Sequence, residues 1–281
     1  MPHYLAMAKQ KVLITVTTYP LPSRSYDELV CTAGVLENGQ WIRIYPVPLK
    51  FLRGLRKDGK IQAFKYNWIE LDLIKRHDDF RPESHSPIDY GFANVNVLGK
   101  IDTKNNWQER KNFCLTNVYT NKAKLLSDSK APNNVSLATF KPSKIVSFEI
   151  EEDEKEWKNE WKEIRKQGDL FDSDKSPEIL IPKLPYKFSY KFLDDEGVPS
   201  TLMIEDWEIG ALYFNCLRDA EGDEKIALGK VRYKYETEFC KEKDIYLFLG
   251  TTKEWHTRRA NNPFVIIGVF YPKQVIQTSL F

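Results

Sequence analysis

At 281 residues the chain has room for one large domain or two of ordinary size, and a content of 42% hydrophobic and 13% aromatic residues can bury a core, which excludes a disordered chain. The net charge of +2 hides an uneven distribution: residues 1–150 hold 22 Lys/Arg against 14 Asp/Glu, and residues 151–281 hold 20 against 26. No run has the length of a membrane span, Met1 to Lys11 lacks the apolar core of a signal peptide, and Cys31, Cys114, Cys216 and Cys240 never form a C-x-x-C pair, so a cytoplasmic protein with reduced thiols and without a paired-cysteine zinc site is expected.

Lys11–Tyr19 is β-branched and stops at Pro20 and Pro22, which predicts a strand ended by a rigid turn. Leu29–Leu36 and Trp41–Tyr45 read as two further strands joined through Asn38-Gly39, a strong hairpin signal. Ala63–Ile74 continues the sheet, with Trp68, Leu71 and Leu73 available for a core, and Arg81-Pro82-Glu83-Ser84 with Ser86-Pro87 marks a loop. The spacing of Phe113, Leu115, Val118, Ala123 and Leu126 predicts a helix over Trp107–Leu126, and Ile145–Ile150 closes this half as a strand.

From Glu151 to Ser176 ten acids and six bases surround Trp157 and Trp161, which share one helical face. This stretch predicts a boundary: a basic β-rich domain over 1–150, an acidic linker over 151–180, and a second domain over 181–281. The second half opens with strands Tyr186–Leu193 and Val198–Ile204 around the turn Asp194-Asp195-Glu196-Gly197. Asp206 reads as the N-cap of a helix carrying Ile209, Leu212, Tyr213 and Leu217; Lys225–Cys240 reads as another helix; Asp244–Gly250 and Phe264–Tyr271 read as apolar strands. The expected fold is α+β: an N-terminal small β-barrel-like domain with one or two helices, then a C-terminal antiparallel sheet with two helices.

The densest basic cluster is Lys50, Arg53, Arg56, Lys57 and Lys60, a candidate surface for nucleic-acid phosphates, with Arg43 beside the aromatics Tyr19, Tyr26, Trp41 and Tyr45, which could stack on an unpaired base. Gly54–Lys60 also matches G-x-x-x-x-G-K, but Ile61 stands where magnesium coordination needs Ser or Thr, and the preceding stretch reads as helix rather than strand. Asp206 with Asp223-x-Lys225 imitates the acids of a metal-dependent nuclease, although both aspartates fall at helix starts, where capping explains them. Thr251, Thr252, His256, Arg258 and Arg259 form a polar loop between two strands, suited to a small ligand or phosphate. His3, His77 and His85 lack metal-ligand spacing. Neither a catalytic constellation nor a cofactor or metal site emerges from these residues.

Several segments resemble a bacterial family of uncharacterised proteins: Thr18-Tyr19-Pro20 with Tyr26 and Val30-Cys31, Trp41 through Pro46, Arg81-Pro82-Glu83-Ser84, Asp206-Trp207-Glu208, and Asn262-Pro263-Phe264 through Pro272. This resemblance brings no activity with it. A second resemblance points to a partner. Gln167-Gly168-Asp169-Leu170-Phe171 and Gln277-Thr278-Ser279-Leu280-Phe281 both read Gln, any residue, a small polar or acidic residue, Leu, Phe. That pattern is similar to the peptides by which bacterial proteins dock on the DNA-polymerase sliding clamp, with Leu and Phe filling an apolar pocket and Gln bonding at its edge. Gly168 and Thr278 stand where such peptides often have Leu. By this resemblance Gln167, Asp169, Leu170 and Phe171, and Gln277, Ser279, Leu280 and Phe281, are partner-binding residues. The expected function is a nucleic-acid-binding accessory protein of DNA metabolism, contacting DNA or RNA with its basic half and recruited by the clamp. The alternative is an enzyme acting on nucleic acid or nucleotides, with its site near Thr251–Arg259 or Asp206.

Overall fold

The computed structural model describes residues 8–19, 29–54, 56–57, 60–61, 63–157 and 182–274. Strands β1 (Ala8–Thr17), β2 (Leu29–Leu36) and β3 (Trp41–Pro48) form an antiparallel meander. The β2–β3 turn is the Asn38-Gly39 hairpin, and Gly39 sits at φ +79°, where a Cβ would also strike Thr116. A short helix α1 (Leu49–Arg53) and the hairpin of β4 (Arg56–Lys57) with β5 (Lys60–Ile61) lead to β6 (Asn67–Lys75), β7 (Ser84–Pro87) and β8 (Asn96–Lys100). The G-x-x-x-x-G-K stretch thus runs from a helix into a hairpin, the reverse of the strand-to-helix setting a phosphate loop needs.

β3 pairs with β7, β7 with β6, and β6 returns to β1, which closes a five-stranded barrel; β8 adds to β6. Alternation along the strands decides what fills it. Val12, Ile14, Ile42, Ile44, Leu71 and Leu73 form the buried interior with Leu52 of α1, while Leu13, Ala33 and Val35 belong to a second cluster on the outer face. A bulge between Ile14 and Val16 re-aims β1, so Val16 also joins the outer cluster.

The sequence pattern predicts a single helix over Trp107–Leu126, and here the chain differs. It breaks into α2 (Lys104–Cys114), the short strand β9 (Val118–Tyr119) and α3 (Lys122–Asp128). Asn121 caps α3 by accepting from the Lys124 N–H at 2.9 Å, a start signal in the middle of the expected helix. β9 pairs in parallel with β10 (Leu137–Phe140). β11 (Lys144–Glu152), expected to close the first half, instead pairs with β12 (Tyr186–Leu193), which pairs with β13 (Pro199–Met203).

Two helices follow, α4 (Trp207–Asp219) and α5 (Glu224–Arg232), then a π-helical turn Tyr233–Glu238 and α6 (Phe239–Glu242), so the helix expected over Lys225–Cys240 forms with a π segment inside it. Strands β14 (Tyr246–Thr251) and β15 (Phe264–Phe270) flank the short helix α7 (Lys253–Thr257). β15, β14, β10 and β9 form one sheet and β11, β12 and β13 another, so the single C-terminal sheet of the sequence reading is two, bridged at Ile204 and Ile266. The fold is α+β, an N-terminal closed barrel with helices followed by C-terminal sheets with helices.

β14 and β15 are apolar nearly throughout because both of their faces are covered. Leu247, Leu249, Ile266 and Val269 pack into the helix-covered core, while Phe248, Ile267 and Phe270 pack against the outer face of the barrel through Leu13, Val16, Ala33 and Val35. Trp41 and Trp107 meet Phe248 and Phe270 edge-on at 5.1 Å each. The two halves therefore share a core, and the candidate site lies at its edge.

Candidate functional site

On β3, Ile42 and Ile44 enter the barrel, so the period of two sends Arg43 and Tyr45 to the outer face. Arg43 is 3% exposed. It reaches across the junction: Nη1 donates to Ser136 Oγ at 2.7 Å and Ser84 Oγ at 3.4 Å, and Nη2 donates to the carbonyls of Ser136 and Thr251 at 3.2 and 3.4 Å. Its Nε has no acceptor among the described residues, and no carboxylate stands within ion-pair distance there. Glu83 serves it only at second hand, accepting from Ser136 Oγ at 2.6 Å and from the Ser136 N–H at 3.0 Å. Burial lowers the affinity of this guanidinium for its proton, yet arginine remains charged throughout the ordinary pH range.

Arg81 reaches the same carbonyl. Its Nη1 donates to Thr251 O at 2.7 Å, while Nε and Nη2 grip Asp79 at 2.9 and 2.6 Å. Burial works to raise the Asp79 carboxyl, but the hydrogen bonds and charge of Arg81 outweigh it and hold the group well below the usual carboxylate range. Arg76 lies over the Tyr45 ring at 5.6 Å and donates to Asp78. Lys253 donates to the Asp78 carbonyl and has no carboxylate within ion-pair distance among the described residues.

These groups line a cavity of about 330 Å³ between the barrel and the β14–β15 layer. Its wall holds four cationic side chains (Arg43, Arg76, Arg81, Lys253) and two carboxylates (Asp79, Glu205), with Ala33, Val265 and Ile267 as the apolar part. His85 also lines it, and its Nδ1 lies 2.8 Å from the Glu83 carbonyl. A carbonyl only accepts, so Nδ1 carries the hydrogen and Nε2 keeps its lone pair; burial lowers this histidine's pKa and favours the neutral ring. Tyr45, 38% exposed, presents an aromatic surface at the cavity.

The sequence-selected residues distribute as follows. Arg43 lines the cavity, whereas Arg53 is exposed on α1 with its guanidinium 5.2 Å from the Trp207 ring. The side chains of Lys50, Arg56, Lys57 and Lys60 lie outside the described residues, as do Gln167, Asp169, Leu170, Phe171, Gln277, Ser279, Leu280 and Phe281, together with Tyr26 and Trp161. Tyr19 stacks on Trp207 and Trp41 is packed into the junction core, which leaves Tyr45 as the described aromatic available at the cavity.

Within the polar loop, Thr251 and Thr252 reach the cavity but His256 does not serve it. Its Nε2 donates to Ser129 O at 2.6 Å and its Nδ1 accepts from Thr251 Oγ at 3.0 Å, so both ring nitrogens are committed to scaffold. Arg258 is exposed and paired with Glu254. Asp206 caps α4 through the Glu208 N–H at 3.2 Å, and Asp223 caps α5 through the Ile226 N–H at 3.0 Å, so both aspartates of the nuclease-like set serve as helix caps. Among the described residues no three His, Cys, Asp or Glu side chains gather as a metal site, and no helix is long and apolar enough to cross a membrane.

Arg76, Asp79, His85, Glu205 and Lys253 escape the sequence reading of the site. Thr18 and Cys31, Arg43 and Tyr45, and Arg81 and Ser84, far apart along the chain, all line this one cavity.

A family model described as a domain of unknown function, DUF8757, matches residues 118–281, more than half of the chain. The chain belongs to this family. A second model, also a domain of unknown function, DUF8758, matches residues 8–116, so the two matches meet just ahead of β9. No curated protein matches. A solved structure titled "Structure of murine DNA binding protein bound with ds DNA" covers 96% of this chain and 97% of its own at 10% identity, with a TM-score of 0.30, a likeness too low to carry an argument about fold or ligand.

Proposed function

We propose that this chain binds nucleic acid or a nucleotide and holds a phosphate group of that ligand in the cavity beside Arg43. One observation carries the reading: the cavity wall bears more cations than carboxylates, and two of them, the buried Arg43 and the exposed Lys253, have no carboxylate within ion-pair distance among the described residues. A buried guanidinium without a carboxylate in direct contact is costly, and a bound phosphate relieves that cost while accepting hydrogen bonds. A cavity with converging polar groups suits a terminal phosphate or a free nucleotide better than an open basic face such as that expected from Lys50–Lys60 does.

The test is a binding titration of full-length protein with a labelled oligonucleotide bearing a 5′ phosphate, against the same oligonucleotide without it, with inorganic phosphate as competitor. Arg76→Ala/Lys253→Ala removes two wall cations without disturbing the Arg43 ties and weakens binding about tenfold or more, while Arg53→Ala/Arg56→Ala/Lys57→Ala leaves it within about twofold. The reverse ranking would transfer the ligand to the basic face. Equal binding by both variants and both oligonucleotides would leave the cavity cations a purely structural role.

The two Q-x-[SD]-L-F peptides support a further component of this reading, recruitment by the sliding clamp to sites of DNA metabolism. Its support is sequence alone: one pattern occurs twice, at Gln167–Phe171 and Gln277–Phe281.

A further inference from the structure

The cavity wall carries charges of both signs, drawn from different elements. Arg43, Arg81 and Arg76 gather around β3 and the segment ahead of β7, whereas Glu205 comes from the link between β13 and α4. The Glu205 backbone is fixed on both sides: its N–H donates to Ile266 O at 2.8 Å and its carbonyl accepts from the Tyr19 N–H at 2.9 Å. Its carboxylate makes no hydrogen bond or ion pair among the described residues, although it lines the cavity. The described carboxylates near these arginines have assigned partners: Asp78 with Arg76, Asp79 with Arg81, Glu83 with Ser136. Burial alone pushes the Glu205 carboxyl up, as expected of an acid with no cation at hand.

A ligand matched to this wall brings an anion to the arginines, hydrogen-bond donors to Glu205 and an apolar surface to Val265 and Ile267. We propose that the cavity takes one nucleotide unit, that Glu205 accepts hydrogen bonds from the donor edge of its base, and that guanine is preferred. This rests on the phosphate reading above. A carboxylate offers two oxygens side by side, and guanine alone among the common bases offers two adjacent donors, the ring N1–H and the 2-amino group. Hypoxanthine keeps only the ring N–H, adenine and cytosine present one amino group, and uracil presents one ring N–H. A volume of about 330 Å³ is at the small end of ligand cavities and suits a single nucleotide rather than a longer segment.

The experiment is calorimetry on the full-length protein with GMP, IMP, UMP, guanosine and ribose 5-phosphate. The wild type is expected to bind GMP about tenfold or more tightly than IMP or UMP, because losing a donor leaves the carboxylate unsatisfied. Glu205→Gln is expected to shrink the GMP-to-IMP ratio to within about twofold and to leave ribose 5-phosphate unchanged. Glu205→Asp, which keeps the charge, retains part of the preference. If the wild type binds GMP, IMP and UMP alike, base reading by Glu205 is overturned whatever the variants do, and binding of ribose 5-phosphate would show the phosphate reading intact. If guanosine binds as tightly as GMP and ribose 5-phosphate does not bind, the phosphate reading fails while base reading survives.

Discussion

Lys65 is the residue on which the contact between the barrel and α4 turns. It sits ahead of β6, its side chain is 11% exposed, and its Nζ stands 2.6 Å from Glu208 Oε2 and 3.7 Å from Asp206 Oδ2. Burial works against the ammonium, but the two carboxylates outweigh it and hold Lys65 charged, while burial pushes the Asp206 carboxyl up to about 7 with Lys65 pulling the other way. The sequence showed Asp206 as a cap and was right about it; that its second oxygen meets a lysine more than a hundred positions earlier has no local signal. Lys65→Met keeps the length of the side chain and removes the charge, leaving Asp206 buried without a cation. The expected loss is about 3–5 kcal/mol in urea unfolding at about pH 8. Without Lys65 the folded pKa of Asp206 rises further above its unfolded value near 3.9, so the folded state takes up a proton as pH falls and regains stability through that window. The deficit at about pH 5 should be clearly smaller than at about pH 8. An equal deficit at both would mean that Asp206 does not carry the cost.

Elements were legible where one local rule governed them. The Asn38-Gly39 hairpin, the alternation of Tyr186, Phe188, Tyr190 and Phe192, and the Asp206 and Asp223 caps all appear as the residues imply. Trp107–Leu126 misled because Phe113, Leu115, Val118 and Ala123 mimic helical spacing across a break that Thr116-Asn117 and the cap Asn121 already signal. Gly210 of α4 makes a sharper case of tertiary packing overriding propensity. On an ordinary helix, Gly→Ala stabilises by about 1 kcal/mol. Here a Cβ would stand 2.3 Å from Tyr19, whose ring is stacked on Trp207 at 5.6 Å and tied through its O–H to the Pro182 carbonyl at 2.7 Å. Overpacking of this kind costs about 1–3 kcal/mol, so Gly210→Ala should lower stability by about 1 kcal/mol in urea unfolding. A gain instead would show that Tyr19 yields without cost.

At the scale of the whole molecule, the change of composition after residue 150 and the change of sheet do not coincide. β9, β10 and β11 lie before residue 153 yet belong to the C-terminal sheets, because β9 joins β10, β10 joins β14, and β11 joins β12 across the acidic stretch. Local composition reports solvent and charge, whereas sheet membership depends on partners a hundred residues away. The cavity was hidden for the same reason: residue 43 meets residues 136 and 251, and residue 81 meets residue 251.

The two clamp-type peptides are the part of the functional proposal that sequence supports and that lies outside the described residues. If they dock, Leu280 and Phe281 supply most of the affinity by burying apolar surface, on the order of 1.5–3 kcal/mol per side chain. Ordering a short segment takes part of that back, so one copy should bind at about micromolar strength. Both copies engaging pockets of one ring should bind more tightly through effective concentration. Calorimetry with a purified sliding clamp would compare the intact protein with Leu280→Ala/Phe281→Ala and with Leu170→Ala/Phe171→Ala. The expected outcome is a loss of affinity for either pair and loss of the signal when all four are changed, with nucleotide binding at the cavity untouched. Affinity unchanged by all four substitutions, or no heat from the intact protein, would remove the clamp from the list of partners and leave the cavity proposal standing by itself.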